Sequence, residues 1–278
     1  MSAFPLSPSP ILSIMEFFII FLSSLLTAIS PIGIVVDTVI ANTIRSQVKS
    51  VEQLAVRVDN TPSYQPIQGK IDRFRFASRN LEIIDNLRIE TIELEIDPIS
   101  ININRLETKG LTGIRQSLRQ PLQGGIRLVL KETDLNQALE SANVKAKLQE
   151  IINRFLPEQA PQFQLLSLQI QFKEENRLGI EVKLQQEATE EKEAEPLDLS
   201  LETGLKLENG RSLQLLDLSG TLNGRKLSKR FLSRFSSFDL ATLEKQGITS
   251  RLLQLDIDEE TLDLAAFARL ETLKSDEQ

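Results

Sequence analysis

The sequence predicts an α+β protein, in which a strongly curved, elongated antiparallel β-sheet or open barrel wraps around amphipathic helices. Long runs of alternating apolar and polar residues predict the strands, and a pair of amphipathic helical segments lies between two such β regions. The alternation slips at several places, which is typical of the β-bulges that bend a sheet. An N-terminal hydrophobic helix is expected to precede this body.

The composition excludes most familiar enzyme chemistry. The 278 residues include no Cys and no His, which removes cysteine nucleophiles, histidine bases and metal sites built from these side chains. Nucleotide-binding and hydrolase motifs are absent, and no carboxylate pair stands out by its spacing. We therefore expect a non-catalytic protein without a cofactor. A lipid-directed enzyme that works with carboxylates, Ser, Lys or Tyr64 is a minor alternative.

The charge balance and the aromatic content disfavour nucleic acid as a partner. Lys and Arg number 32 against 39 Asp and Glu, which leaves a net charge of -7. Aromatic residues make up only 5% of the chain, with no Trp, so base-stacking surfaces are poorly supplied. The apolar content is mostly aliphatic, which suits contact with acyl chains.

Residues 17–36 form an uncharged, mostly apolar run of the length that a helix needs to cross a bilayer. The first basic residue of the chain is Arg45, and Pro31 lies at the expected cleavage position, so an uncleaved anchor is favoured over a secretory signal. A buried core helix broken at Pro31 is the third interpretation. We expect association with a membrane through this segment. The predicted division is an extension at residues 1–16, the anchor at 17–36, an α+β domain at 37–273 and a polar tail at 274–278.

The first half of the predicted domain begins with an amphipathic helix over residues 37–51 and continues in strands. The strands are expected at residues 54–58, 69–78, 87–96 and 99–103, followed by a loop at 108–125 and a short strand at 126–130. The helical pair comes next, with Thr133 as the N-cap of its first helix. A break near residues 141–143 separates it from a second helix that ends before Pro157.

The second half is expected to consist mainly of hairpins. Clean alternation predicts three of them, at residues 166–172 with 178–184, at 197–207 with 213–222, and at 253–257 with 262–268. The run from Glu187 to Pro196 is interpreted as a solvated acidic connector.

A short helix is expected over residues 227–235, with apolar residues on one side. Basic residues occupy the other side and form a dense cluster in an otherwise acidic chain. The cluster comprises Arg225, Lys226, Lys229, Arg230 and Arg234. Basic side chains near an anionic leaflet contribute about 1 kcal/mol each, so the cluster is a candidate for contact with a lipid head group or a membrane. A solvated helix face is the alternative interpretation.

Several phrases of the sequence resemble the LmeA-like phospholipid-binding family, in the form common among cyanobacteria. They are MEFFIIFLSSLL from Met15, SPIGIVVD from Ser30, the stretch VRVDNTPSYQPIQGKIDRFRF from Val56, RLVLKETDLNQAL from Arg127, and the later segments LSKRFL and LQLDIDEETLDL. The resemblance implies a tubular lipid-binding fold with phospholipid in its apolar interior and a periplasmic or exported location. It brings no catalytic residues.

If the chain shares that fold, alternation selects ten apolar residues as the expected lining for acyl chains. They are Leu54, Val56, Val58, Phe74, Phe76, Leu168, Ile170, Phe172, Ile180 and Val182. The helices either fill the curved sheet as an ordinary core or enclose with it a groove for lipid. These alternatives lead to two functions: a non-catalytic protein that binds or transfers phospholipid at a membrane, or a membrane-anchored scaffold with a packed core and a basic partner-binding helix.

Overall fold

The computed structural model describes residues 37–273, apart from gaps at 63, 85, 103–109, 156–162, 187–195, 234–236 and 240–246. The predicted extension, the hydrophobic helix at 17–36 and the polar tail lie outside the described residues. Most of the described chain forms antiparallel strands in open sheets, with a few short helices. A mostly β structure with a few helices agrees with the predicted α+β class. The single curved sheet of the prediction is replaced by two large sheets and a small one.

The helices and strands are numbered along the chain. The N-terminal half contains α1 (Asp37–Gln47), β1 (Ser50–Asp59), a 3₁₀ helix (Gln65–Gln68), β2 (Lys70–Ile71), β3 (Arg73–Ile84), β4 (Leu87–Asp97), β5 (Ile99–Ser100), α2 (Gly110–Ser117), β6 (Leu122–Lys131), α3 (Glu132–Glu140) and α4 (Ala142–Phe155). The C-terminal half contains β7 (Phe163–Lys173), β8 (Arg177–Gln186), β9 (Pro196–Glu208), β10 (Ser212–Leu222), β11 (Arg225–Lys226), α5 (Lys229–Leu232), β12 (Ser237–Asp239), β13 (Ile248–Ile257) and β14 (Thr261–Leu270).

Two large antiparallel sheets organise the structure. Sheet one has the strand order β1-β3-β4-β6-β14-β13, and sheet two has the order β7-β8-β9-β10-β11, with β12 also paired to β10. The small sheet joins β2 to β5. All three predicted hairpins are confirmed, as β7 with β8, β9 with β10, and β13 with β14.

The main hydrophobic core lies on one face of sheet one. The register places Val58 opposite Phe74 and Phe74 opposite Ile96, so three adjacent strands turn apolar side chains to the same side. Ile40 and Ile44 of α1 lie one helical turn apart and are buried in this core. The amphipathic helix predicted at residues 37–51 is therefore confirmed as α1, although it ends at Gln47, before β1 begins.

The predicted loop at residues 108–125 is wrong. It contains α2 and the start of β6, because Ile114 and Leu118 are buried in the main core. Thr133 is not an N-cap either: α3 begins at Glu132, and Lys131 is in the cap position. The predicted break in the helical pair is confirmed at Ser141, between α3 and α4.

Two kinds of structural feature interrupt the regular strand pattern. Register shifts typical of bulges lie between Glu82 and Ile84 in the β3–β4 pair and between Leu165 and Ser167 in the β7–β8 pair. The apolar alternation also slips between Ile71 and Phe74. There the chain changes sheet, because Ile71 pairs with Ile99 in the small sheet before β3 begins at Arg73. Bulges of the predicted kind thus occur, but they do not explain every slip.

Side chains of α3 and α4 cover the outer edge of β7. The Asn136 amide donates to the carbonyl oxygen of Ile170 and accepts from its N–H, each at 2.8 Å. The Glu132 carboxylate accepts from the N–H of Phe172 at 2.6 Å. Farther along, the Gln149 amide bonds to the backbone of both Phe163 and Leu165. The helices thus supply the hydrogen bonds that a neighbouring strand would otherwise make.

The two large sheets meet where β13 runs past the turns of sheet two. The N–H of Leu252 donates to the carbonyl oxygen of Gly210 at 2.8 Å. The N–H of Ile257 donates to Oδ1 of Asn176 at 2.7 Å, and the Asn176 carbonyl accepts from the N–H of Leu205. A single turn residue therefore links β13 to β9.

The covering of β7 predicts a specific loss of stability on substitution of Asn136. Asn136→Ala leaves one donor and one acceptor of Ile170 without their partner, so we expect the free energy of unfolding to fall by about 2 kcal/mol. Asn143→Ala is the matched control, because Asn143 is exposed at the start of α4 and the gain in helix propensity is similar. Chemical denaturation of both variants measures the difference. Equal stabilities would show that the Asn136 bonds contribute nothing.

Candidate functional site

Sheet two carries a continuous aliphatic face. The register aligns Leu168, Val182, Leu199 and Leu222 in one row across four strands. The next row contains Ile170, Ile180, Leu201 and Gly220, because partners in antiparallel strands point to the same side. We call this surface the aliphatic face; its side chains are Leu168, Ile170, Phe172, Leu178, Ile180, Val182, Leu184, Leu197, Leu199, Leu201 and Leu222.

The aliphatic face is covered only in part. Phe172 and Val182 are buried, whereas Leu222 is exposed and the other side chains of the face are half-buried. The residues of the face do not belong to the main hydrophobic core, which is built from sheet one, the small sheet, α1, α2 and the segments beside them. The face is therefore a second apolar surface, and part of its aliphatic area is still accessible.

The structure divides the ten predicted lining residues between the two sheets. Leu168, Ile170, Phe172, Ile180 and Val182 come together on the aliphatic face. The other five lie on sheet one, where Phe74 and Phe76 are in the main core and Leu54, Val56 and Val58 pack against it. Contact of lipid with either group stays a prediction.

Sequence reasoning missed several members of the aliphatic face, chiefly Leu199, Leu201 and Leu222. Their alternation was visible in the second predicted hairpin. The missing information was that β8 pairs with β9, across residues 187–196, which joins the two hairpins into one surface.

The residues after β11 pack over one edge of the aliphatic face. Leu227 donates its N–H to the carbonyl oxygen of Gly220 at 2.9 Å. A β-carbon on Gly220 would lie 2.5 Å from Cδ2 of Leu201 and 3.3 Å from Cδ1 of Leu227, so both leucines pack over this glycine. At the opposite side of sheet two, the edge of β7 is bordered by α3 and α4.

The predicted basic cluster lies next to this edge, divided between a strand and a very short helix. Arg225 and Lys226, which precede the predicted helix, form β11, and they are exposed. Lys229 and Arg230 are exposed on α5, which spans only four residues and begins after Ser228, whose side chain accepts the N–H of Phe231. Arg234 lies outside the described residues.

Many arginine side chains of sheet one form ion pairs with carboxylates. Arg75 lies 2.8 Å from Asp59, and Arg127 lies 2.8 Å from Asp263 and 3.4 Å from Glu93. The pairs with Asp263 and Glu93 raise the pKa of Arg127, chiefly through the hydrogen bond to Asp263. The pKa of the Asp59 carboxyl is lowered, first by its hydrogen bond to Arg57.

A groove of about 520 Å³ crosses this charged side of sheet one. Small residues line much of it, including Ala55, Ala77 and Ala265, with Arg75 and Arg127 beside them. Two of the predicted lining residues, Val56 and Phe76, also border the groove. Because Arg75 and Arg127 are engaged by carboxylates, the groove offers a largely neutral, shallow surface.

The described residues contain no group of three or more Asp and Glu side chains placed to hold a metal ion. Among the helices of the described ranges, none combines the length and the apolar character needed to cross a membrane. The anchor predicted at residues 17–36 was outside that search, because those residues are not described.

A comparison with sequence models of known protein families identifies the family of this chain. The sequence model of the LmeA-like phospholipid-binding family matches residues 27–267. The protein belongs to this family. The match spans nearly the whole chain and confirms the resemblance found from the sequence, and the family description indicates phospholipid as the class of ligand. No curated protein and no solved structure matches the chain.

In this LmeA-like protein, the close packing over Gly220 predicts that an alanine is tolerated less well at Gly220 than at Gly125. Gly220→Ala places a methyl group 2.6 Å from the Ser200 carbonyl oxygen, and we expect it to lower the free energy of unfolding by about 1–3 kcal/mol. Gly125→Ala is the control, because its nearest contact is 4.0 Å away. Thermal or chemical denaturation compares the two. If Gly125→Ala proved the more damaging change, the packing assigned to the aliphatic face would be incorrect.

Proposed function

We propose that this member of the LmeA-like family is a non-catalytic protein that binds or transfers phospholipid and holds acyl chains against the aliphatic face of sheet two. Family membership supports phospholipid as the ligand. The observation that supports the location is the half-buried state of most aliphatic side chains on this face, which lies outside the main core. A bound acyl chain would cover apolar area that is otherwise in contact with water.

The dimensions of the face suit an acyl chain. From Leu178 to Leu184, β8 extends about 20 Å at its usual rise per residue. One leaflet contributes about 15 Å to the hydrocarbon core of a bilayer, so a chain can lie lengthwise along the strand.

The energetics favour exchange rather than irreversible capture. Burying one methylene contributes about 0.8 kcal/mol, so a chain of ~15 methylenes gains about 12 kcal/mol at most in an apolar site. That gain is close to the free energy that the chain loses on leaving a bilayer. An aliphatic surface is therefore sufficient for lipid transfer, and no catalytic group is required.

The proposal includes a membrane as the place of action. The anchor at residues 17–36 stays a prediction, and the family resemblance favours the periplasmic or exported side. The assignment as a non-enzyme agrees with the description of the family as phospholipid-binding.

A membrane-anchored scaffold is the second candidate function. The observation that favours it is the main core, in which Phe74 and Phe76 are buried and sheet one is packed against α1 and α2. In this alternative the aliphatic face would be ordinary packing surface, and the basic residues near α5 would bind a protein partner.

Substitutions at two comparable leucines distinguish the lipid-binding function from the scaffold function. Leu201 lies on the aliphatic face, and Leu128 is a half-buried leucine of an inner strand of sheet one that packs against the main core. We expect Leu201→Asn to reduce the lipid that co-purifies with each folded molecule at least severalfold, because a polar amide replaces aliphatic contact area. Leu128→Asn should lower stability instead and leave lipid per folded molecule unchanged. Native mass spectrometry and lipid extraction measure both quantities.

A filling substitution provides the complementary test. Val182→Trp adds bulk to the buried centre of the face and should exclude the ligand if acyl chains lie there. A folded Val182→Trp protein that still carries lipid at the wild-type ratio would show that the lining is assigned to the wrong surface. Wild-type protein that purifies without any lipid would favour the scaffold.

A further inference from the structure

Four exposed cations beside the aliphatic face differ from most of the arginines described above. Arg225, Lys226, Lys229 and Arg230 make no ion pair within the ranges that the structure describes. On the polar side of the same sheet, in contrast, Glu202 neutralises Lys173 at 2.9 Å and Arg177 at 3.1 Å. A protein with a net charge of -7 thus concentrates unpaired positive charge in one short segment.

Two large apolar side chains are exposed within the same segment. Leu222 is 37% exposed at the end of β10, and Phe231 is 43% exposed on α5. Leu222 pairs directly with Arg225 in the β10–β11 hairpin, so an apolar side chain and a cation stand side by side. Exposed apolar groups among unpaired cations are typical of surfaces that bind an anionic bilayer.

The segment is continuous with the aliphatic face. Leu222 pairs with Leu199, and Leu199 pairs with Val182, in the row described above. Leu227, between β11 and α5, packs over Gly220 beside Leu201. An acyl chain that leaves a bilayer next to Leu222 would therefore meet this row without crossing a polar surface.

We propose that the β10–β11 hairpin and α5 form a docking surface for an anionic lipid bilayer, placed where the aliphatic face opens. The inference deepens the proposed function, because it names the membrane class and the end of sheet two through which lipid enters. Positive charge provides the attraction to the leaflet, and Leu222 and Phe231 enter its interface. The docked orientation brings the end of the row of leucines to the acyl chains.

Vesicle binding by the full chain tests the proposal. The vesicles contain phosphatidylcholine alone or phosphatidylcholine with about 30% phosphatidylglycerol, and co-sedimentation gives the partition coefficient for each. Every variant keeps residues 1–36, so any binding by this segment is common to all proteins and cancels in the comparison. We expect the wild-type protein to prefer anionic vesicles, and we expect salt near 1 M, where the Debye length is about 3 Å, to remove the preference.

The double substitution Lys229→Glu/Arg230→Glu should weaken partitioning to anionic vesicles by at least about 25-fold, because each basic residue contributes roughly fivefold near such a surface. Lys183→Glu/Lys206→Glu is the matched control. It makes the same change in net charge on the same sheet, but on exposed side chains of the polar side. The control should retain its preference for anionic vesicles. Circular dichroism checks that all four charge substitutions leave the fold intact.

Three outcomes separate this inference from the proposed function. Equal binding to neutral and anionic vesicles by the wild-type protein would overturn the docking surface and favour a protein partner for the basic residues. Equal losses in the two double variants would also overturn it, because net charge rather than this surface would then control binding. Lipid that co-purifies with the Lys229→Glu/Arg230→Glu protein would show in either case that the aliphatic face still binds lipid, so the proposed function would stand.

Discussion

Side chains of α3 and α4 form hydrogen bonds with the backbone of β7, the edge strand of sheet two. An edge strand exposes backbone groups that need partners, and here Glu132, Asn136 and Gln149 provide them instead of another strand. Because α3 follows β6 of sheet one directly, the same bonds fasten sheet two to sheet one. The aliphatic face depends on this arrangement, since β7 carries Leu168, Ile170 and Phe172.

The division of apolar surface between the two sheets explains how one chain can be stable and still present an aliphatic surface. The apolar side of sheet one is packed against α1 and α2 and contains buried residues such as Phe74 and Leu81. Sheet two has no comparable set of buried side chains in its described part, and most residues of its apolar side are half-buried. The main core and the aliphatic face thus lie on different sheets, so residues of the aliphatic face can vary without loss of the main core.

Local pattern predicted the strands well, because alternation directly reports which side of a strand is apolar. It succeeded for all three hairpins and for the break at Ser141. It failed for α2, where Ile114 within the helix and Leu118 directly after it are the buried large apolar residues of a segment rich in Gly, Arg and Gln. Two apolar residues one turn apart are too weak a signal to identify a helix without knowledge of the core that they enter.

The sequence pattern did not predict which strands pair when they are far apart along the chain. Alternation does not show that Arg127 of β6 lies opposite Ala265 of β14, or that β8 lies beside β9. For this reason the sequence did not reveal that the ten predicted lining residues lie on two different sheets. The basic cluster was identified from composition alone, whereas its division between β11 and α5 required the structure.

The outer edge of β13 has a consequence for self-association. An open sheet invites a strand of another molecule, which leads to fibres or aggregates. Along β13, Leu252 and Ile257 already donate their N–H groups to sheet two, and a bulge between Leu252 and Gln254 interrupts the regular spacing. An incoming strand would find no continuous ladder there. The protein can thus keep its sheets open, and its aliphatic face accessible, without polymerising through this edge.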